Sequence, residues 1–196
     1  MNNNIKKCFF CNGSHSCRNC PIESKIAPFM KKIIGQHMEN FTATKLLCPR
    51  CSKPSLKRLG NHTPSLDIIC MNCCTNFEVK SKCLSVDILP KDLILHHGNY
   101  FDYLSRQSNG LDFIIIIYKV NRISKIIQIR KILHILNENI YKTNTPTNFY
   151  ITPDMKSPLS KIHIEDHTKL NEIKISDNYN YNFTNDIKNL LKTIDL

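Results

Sequence analysis

Apolar residues recur at helical spacing after Pro28, as Phe29, Ile33, Ile34, His37 or Met38, and Phe41. That period predicts a helix over 28–41 with one face in a core and Gly35 as its weak point. Farther on the pattern becomes that of strands. Residues 66–70 and 76–80 are β-prone, although the first set alternates poorly. The run Phe113-Ile-Ile-Ile-Ile-Tyr118 is continuously apolar and β-branched, as expected of a strand buried on both faces. Ser108-Asn109-Gly110 supplies the turn into it. Ile126-Ile-Gln-Ile-Arg130 alternates and reads as a further strand, and Lys131 to Leu136 either extends it or begins a helix. Residues 143–159, with Pro146, Pro153 and Pro158, read as a loop, and Lys161-Ile-His-Ile-Glu165 as a short strand. An Asn- and Tyr-rich tail from Asp177 leads to an amphipathic helix over 186–194 that docks on the core or frays. The prediction is a sheet-based α/β core.

Composition agrees with one main domain and room for a small module. The 196 residues are 41% hydrophobic and 22% charged, which excludes wholesale disorder. Lys and Arg outnumber Asp and Glu by 27 to 16, a net charge of +11. Such a balance favours a polyanion, because basic side chains release counterions from a phosphate backbone. Charge alone shifts the reading only slightly towards nucleic acid. No apolar segment is long enough to span a bilayer, and no secretory leader is expected at the N-terminus.

Cysteine usage is more specific. Eight of the ten cysteines fall in four Cys-x-x-Cys pairs, at 8/11, 17/20, 48/51 and 70/73. In a reducing, intracellular setting (cytoplasmic, nuclear or a viral factory) paired cysteines point to zinc rather than disulfides. Cys8, Cys11, His15 and Cys20 offer one tetrahedral set, with Cys17 as the alternative to His15. Their spacing resembles a zinc knuckle with one residue fewer before the histidine. Such knuckles touch single-stranded nucleic acid, serve as folding staples or contact proteins. Cys48 and Cys51, then eighteen residues, then Cys70 and Cys73 form a zinc-ribbon signal, with Cys74 as a spare ligand. Two structural zinc ions are therefore expected. The basic segment 53–62 between the ribbon pairs reads as a loop, solvated or riding on a phosphate backbone.

The ribbon's second pair lies between two acids. Asp67 precedes it, and Glu78-Val79-Lys80 follows. Residues two apart on a strand share a face, so Glu78 and Lys80 point one way while Phe77 and Val79 enter the core. A hairpin pairing 66–69 with 77–80 brings Asp67 close to Glu78. Two carboxylates then offer oxygen ligands to a hard cation such as Mg²⁺. Glu39 falls near the end of the predicted helix, where it either reaches that site or is a plain surface acid. As bare letters, Asp67, Glu78 and Lys80 form a common set.

The segment from Cys48-Pro-Arg-Cys51 through Leu66-Asp67-Ile-Ile-Cys70-Met-Asn-Cys73 to Phe77-Glu78-Val79-Lys80-Ser81-Lys82 resembles the DpnI-type restriction endonuclease catalytic domain. That is a zinc-containing branch of the PD-(D/E)xK nucleases. Its second cysteine pair likewise lies between its Asp and its Glu-x-Lys, and it carries a helix Glu where Glu39 stands. His97-Gly98-Asn99-Tyr100, a polar helix and the strand 111–118 resemble the segment that follows in the family. The resemblance implies a restriction-endonuclease-like mixed central sheet flanked by helices, with an inserted zinc ribbon. It also implies a Mg²⁺-dependent DNA endonuclease using Asp67, Glu78, Lys80 and Glu39. Ser65-Leu66 departs from the family's name, which has Pro before Asp.

The organisation this implies is a knuckle-like module over 1–21, a nuclease-like domain over 22–176 with its ribbon at 48–74, and a tail over 177–196. No counterpart of the family's methyl-reading C-terminal winged helix is expected after residue 176, so methyl-specific cleavage is not expected either. DNA is the expected partner, with RNA or single strands an option for the knuckle. A single site nicks, and a concerted double-strand break calls for a homodimer. Two other classes compete: a non-catalytic zinc-ribbon protein that binds nucleic acid or serves transcription, and a zinc-stapled protein adaptor. His163 and His167 read as surface or packing residues.

Overall fold

The protein is described from a computed structural model. It covers residues 23–60, 66–84, 93–99, 110–121, 124–138, 149–150, 159–164, 170–175 and 179–193. Cys8, Cys11, His15, Cys17 and Cys20 lie outside the described residues, as do the turn positions Ser108 and Asn109, the helix expected after Tyr100, and His167.

Helix α1 spans Glu23–Lys45, longer at both ends than its apolar stripe predicts. Pro28 falls early in the helix, where its missing N–H costs a single hydrogen bond. In the last turns the Thr42 and Thr44 hydroxyls donate to the carbonyls of Met38 and Asn40 at 2.8 Å each, which satisfies both hydroxyls inside the helix. Met30, Met38 and Phe41 form the buried face. Gly35 does not interrupt it.

The strands are β1 (Leu56–Arg58), β2 (Ile68–Cys70), β3 (Asn76–Cys83), β4 (Leu93–Asn99), β5 (Asp112–Asn121), β6 (Ile126–Ile135), β7 (Phe149–Tyr150), β8 (Leu159–Ile164), β9 (Asn171–Glu172) and β10 (Asn180–Asn182). Helix α2 follows at Thr184–Thr193. A seven-stranded mixed sheet runs β1-β2-β3-β5-β6-β10, with β9 also on β6. β3 and β5 are parallel, and the other neighbours are antiparallel. A separate antiparallel sheet holds β4, β8 and β7. This is the restriction-endonuclease-like α/β architecture, a mixed central sheet flanked, among the described residues, by two helices, and it carries the cysteine ribbon on its β1–β2–β3 side.

β6 settles the ambiguity at 131–136, because pairing with β5 continues to Ile135. β7 falls within the stretch read as a proline-rich loop, and β1 within the basic segment read as one. Leu56 is buried there against the core, a role that needs a strand rather than a solvated loop.

Side chains alternate along β5 as pleating requires. Ile114, Ile116 and Tyr118 join α1, Phe77 and Ile132 in one apolar cluster. Phe113, Ile115 and Ile117 lie on the opposite face and are also buried. The tail docks on this body. β10 adds to β6, and Phe183 and Ile187 enter the same cluster as α1. His37 stacks on Tyr181 with centroids 3.4 Å apart, and its Nε2 lies 3.1 Å from the Tyr179 hydroxyl. Burial in this stack pushes the His37 imidazole below its usual range, and Asp186 opposes that shift.

Candidate active site and metal centre

The ribbon consists of two matching knuckles. In each, the residue after the second cysteine adopts a left-handed conformation, with φ of 57° at Ser52 and 55° at Cys74. In each, that residue's N–H closes back on the first cysteine's carbonyl, Ser52 to Cys48 at 2.7 Å and Cys74 to Cys70 at 2.9 Å. The turns aim four thiols inward. The Sγ atoms of Cys48, Cys51, Cys70 and Cys73 all lie within 4.8 Å of one another. Cys48 and Cys73 are 3.7 Å apart, and Cys51 and Cys70 3.6 Å. A tetrahedron of thiolates at the usual zinc–sulfur distance has edges of about 3.8 Å. Four soft ligands at that separation fit a structural zinc ion. Cys74, expected as a spare ligand, instead closes the turn.

Burial pushes the Cys70 thiol up, but hydrogen bonds from Ser55 and from the N–H groups of Cys73 and Asn72 outweigh that and hold it near 6. The Ser55 hydroxyl lies 3.0 Å from its sulfur. A thiolate is the form that a metal takes.

The ribbon is clamped to the central sheet by an ion network. Arg50, inside the first knuckle, grips Asp112 through Nε at 2.7 Å and Nη2 at 2.8 Å. Asp112 begins β5 and is fully buried. It also meets His134 Nε2 at 2.7 Å and accepts the Asn137 N–H at 2.9 Å. Arg50 reaches Glu138 as well, at 2.9 Å. Burial would raise the Asp112 carboxyl, but these partners, Arg50 foremost, hold it down at about 2. The same carboxylates raise the Arg50 guanidinium. The sequence reading missed this network. Its one signal was an acid heading an apolar strand, since a buried carboxylate requires a partner.

The acids flanking the second knuckle converge beside it. The β2–β3 ladder pairs Ile69 with Asn76 and Ile68 with Phe77. Asp67 continues the approach, its N–H donating to the Phe77 carbonyl at 3.2 Å. Its carboxylate then takes the next outward N–H of β3, Val79, at 2.8 Å. Asp67 therefore lies against the backbone that carries Glu78. Glu78 is 3% exposed, and its carboxylate Oε1 pairs with the Lys80 ammonium. Burial pushes the Lys80 ammonium down, while Asp67 and Glu39 push it up, so both acids act on it.

Glu39 comes from α1, and Arg58 of β1 donates to it at 2.8 Å. One face of α1, Lys32, Gly35, Gln36 and Glu39, forms a wall of a cleft of about 420 Å³. Leu59, Gly60, Leu66 and Asp67 form the other wall. The structure thus brings Asp67, Glu78, Lys80 and Glu39 into one neighbourhood at the edge of the sheet. Of the three acids, Glu39 and Asp67 line the cleft, while Glu78 is buried beside it against Lys80. Among the described residues no helix is long and apolar enough to cross a membrane.

Residues 29–176 match a family model, DpnI, described as the Dam-replacing family. A search of curated proteins found no match.

Proposed function

The chain belongs to the Dam-replacing family, a restriction-endonuclease-like family, and on that basis we propose a Mg²⁺-dependent DNA endonuclease acting through Asp67, Glu78, Lys80 and Glu39. Membership supports a restriction-type nuclease, with DNA as substrate. The observation that carries the finer reading is the convergence of Asp67 on β3 next to a buried Glu78 that is paired with Lys80. A buried carboxylate costs several kcal/mol of desolvation, and stability alone favours an apolar residue at such a position.

Asp67 and Glu78 would hold the cation, with Glu39 as a further oxygen ligand. That cation would neutralise charge gathering on the scissile phosphate and acidify water beside it. Hydrolysis adds a water oxygen to phosphorus, breaks one P–O ester bond and releases a proton from the water. Lys80 orients the attacking water by hydrogen bonding and offsets negative charge on the phosphoryl oxygens in the transition state. Its ammonium stays close to the acids because strand geometry fixes residues 78 and 80 on one face. Arg58 keeps the Glu39 carboxylate in place.

The test is plasmid cleavage with Mg²⁺ or Mn²⁺. Asp67→Ala and Lys80→Ala should each lose at least about 100-fold in rate while keeping bound zinc and the far-UV spectrum. Wild-type rates in both variants would remove the site from these residues. DNA binding without cutting under every divalent metal would favour the non-catalytic zinc-ribbon reading.

A further inference from the structure

β3 carries a third charged side chain that the chemistry above does not use. Lys82 lies two residues beyond Lys80, so it shares the face of Glu78 and Lys80. In the parallel register the three stand beside Phe113, Ile115 and Ile117. Strand pairing with β2 stops at Phe77. From Glu78 onward, among the described residues, β3 has a strand neighbour on its β5 side alone. The row Glu78, Lys80, Lys82 therefore follows an open edge that leads away from the acid-lined cleft.

Lys82 is half-buried. Among the described residues it has no hydrogen-bond or ion-pair partner, and the charge it feels is the like charge of Lys80. Burial, and then Lys80, push its ammonium down. A half-buried cation beside another cation is costly unless an anion meets it. Residues two apart on a strand are about 6.6 Å apart, comparable with neighbouring phosphates along a nucleic-acid strand.

We propose that Lys82 is a phosphate-binding residue that holds the DNA phosphate next to the scissile one and so sets the register of the cleaved strand along β3. The proposal rests on the endonuclease reading above. Lys80 then serves the reacting phosphate and Lys82 its neighbour, one strand face presenting two cations in line.

The experiment measures binding of a duplex DNA oligonucleotide against NaCl concentration, with Ca²⁺ in place of Mg²⁺ to prevent cutting. Wild type, Lys82→Met and Lys82→Arg are compared after checking zinc content and far-UV spectra. If Lys82→Met does not fold, Lys82→Gln takes its place. Lys82→Met should bind about tenfold more weakly, with a log K against log salt slope shallower by about 0.9. Lys82→Arg should restore the slope, which a packing role for the side chain would not. With Mg²⁺, KM should rise in Lys82→Met while kcat falls by less than about threefold. A neutral methylphosphonate at the adjacent phosphate should weaken wild type and leave Lys82→Met unaffected. An unchanged slope in Lys82→Met, with wild type binding and cutting DNA, overturns the role of Lys82 and leaves the endonuclease reading intact. A wild type that neither binds nor cuts DNA overturns both.

Discussion

At the scale of single residues, Cys74 illustrates how a local conformation decides a chemical role. Its position beside Cys73 offers a fifth thiol to the ribbon, but its φ of 55° commits it to closing the second knuckle. A left-handed conformation costs a side-chain-bearing residue about 1–2 kcal/mol, and glycine is largely spared that cost. Cys74→Gly should therefore keep zinc and raise stability by up to about 1 kcal/mol, read as a higher urea midpoint. Cys73→Ser should lose zinc, read by metal analysis of the purified variant. Retained zinc in Cys73→Ser together with loss in Cys74→Gly would exchange the two roles. The ligand set was legible in the Cys-x-x-Cys spacing. The choice between adjacent thiols was not, because spacing does not specify a backbone dihedral.

At the scale of elements, the link between ribbon and sheet is the Arg50–Asp112–His134 network. Asp112 joins β5 to Arg50 of the first knuckle, sixty-two residues earlier. Removing the charge leaves Arg50 with Glu138 alone, at the exposed end of the network, and weakens the hold on the buried His134, so Asp112→Asn should cost about 2–3 kcal/mol. The sign of the pH effect follows from the depressed carboxyl. Asp112 titrates at about 2 in the fold against 3.8 otherwise. Its contribution is fully present above the unfolded value and is lost as pH falls through the folded one, amounting to about 2 kcal/mol. Unfolding of wild type between pH 5 and pH 2 should show this loss relative to Asp112→Asn. Comparing the two cancels acid release of zinc, which both share. Parallel slopes in the two proteins would exclude Asp112 as the titrating group. The strands themselves were readable from their apolar runs. The network was not, since hydrogen bonds between residues so far apart leave no periodicity.

At the scale of the molecule, zinc and the acids belong to one construction. The thiol cage ties the Cys48–Cys51 turn to the turn at Cys70–Cys73. The second turn joins β2 to β3 and so fixes where Asp67 meets Val79. Stripping zinc with a chelator should release the ribbon, since metal binding and local folding are coupled in such sites. Cleavage should then fail in abundant Mg²⁺ and return when zinc is restored, with circular dichroism following the same cycle. Full activity in zinc-free protein would mean that the ribbon and the proposed acid site are independent. The tail also belongs to the whole, because β10 extends the central sheet and Phe183 enters the core beside α1.

The sequence by itself determined the elements whose causes are local. Helix α1 followed from spacing, β5 from its β-branched run, and the thiol set from paired cysteines. The approach of Asp67 to the Glu78 strand followed in outline, but its register did not: the ladder pairs Ile69 with Asn76 and Ile68 with Phe77, one residue from the expected pairing of 66–69 with 77–80, because the knuckle's turn and not the strand pattern sets it. Only the tertiary structure decided what depends on strand order and on distant partners. It set β3 beside β5 in parallel and ended the β2 ladder at Phe77, so that among the described residues Lys80 and Lys82 have a strand neighbour on the β5 side alone. It brought Glu39 across to Arg58 and Arg50 across to Asp112. Those outcomes rest on contacts between segments far apart in the chain, where apolar periodicity fixes which face is buried but not which strand lies alongside.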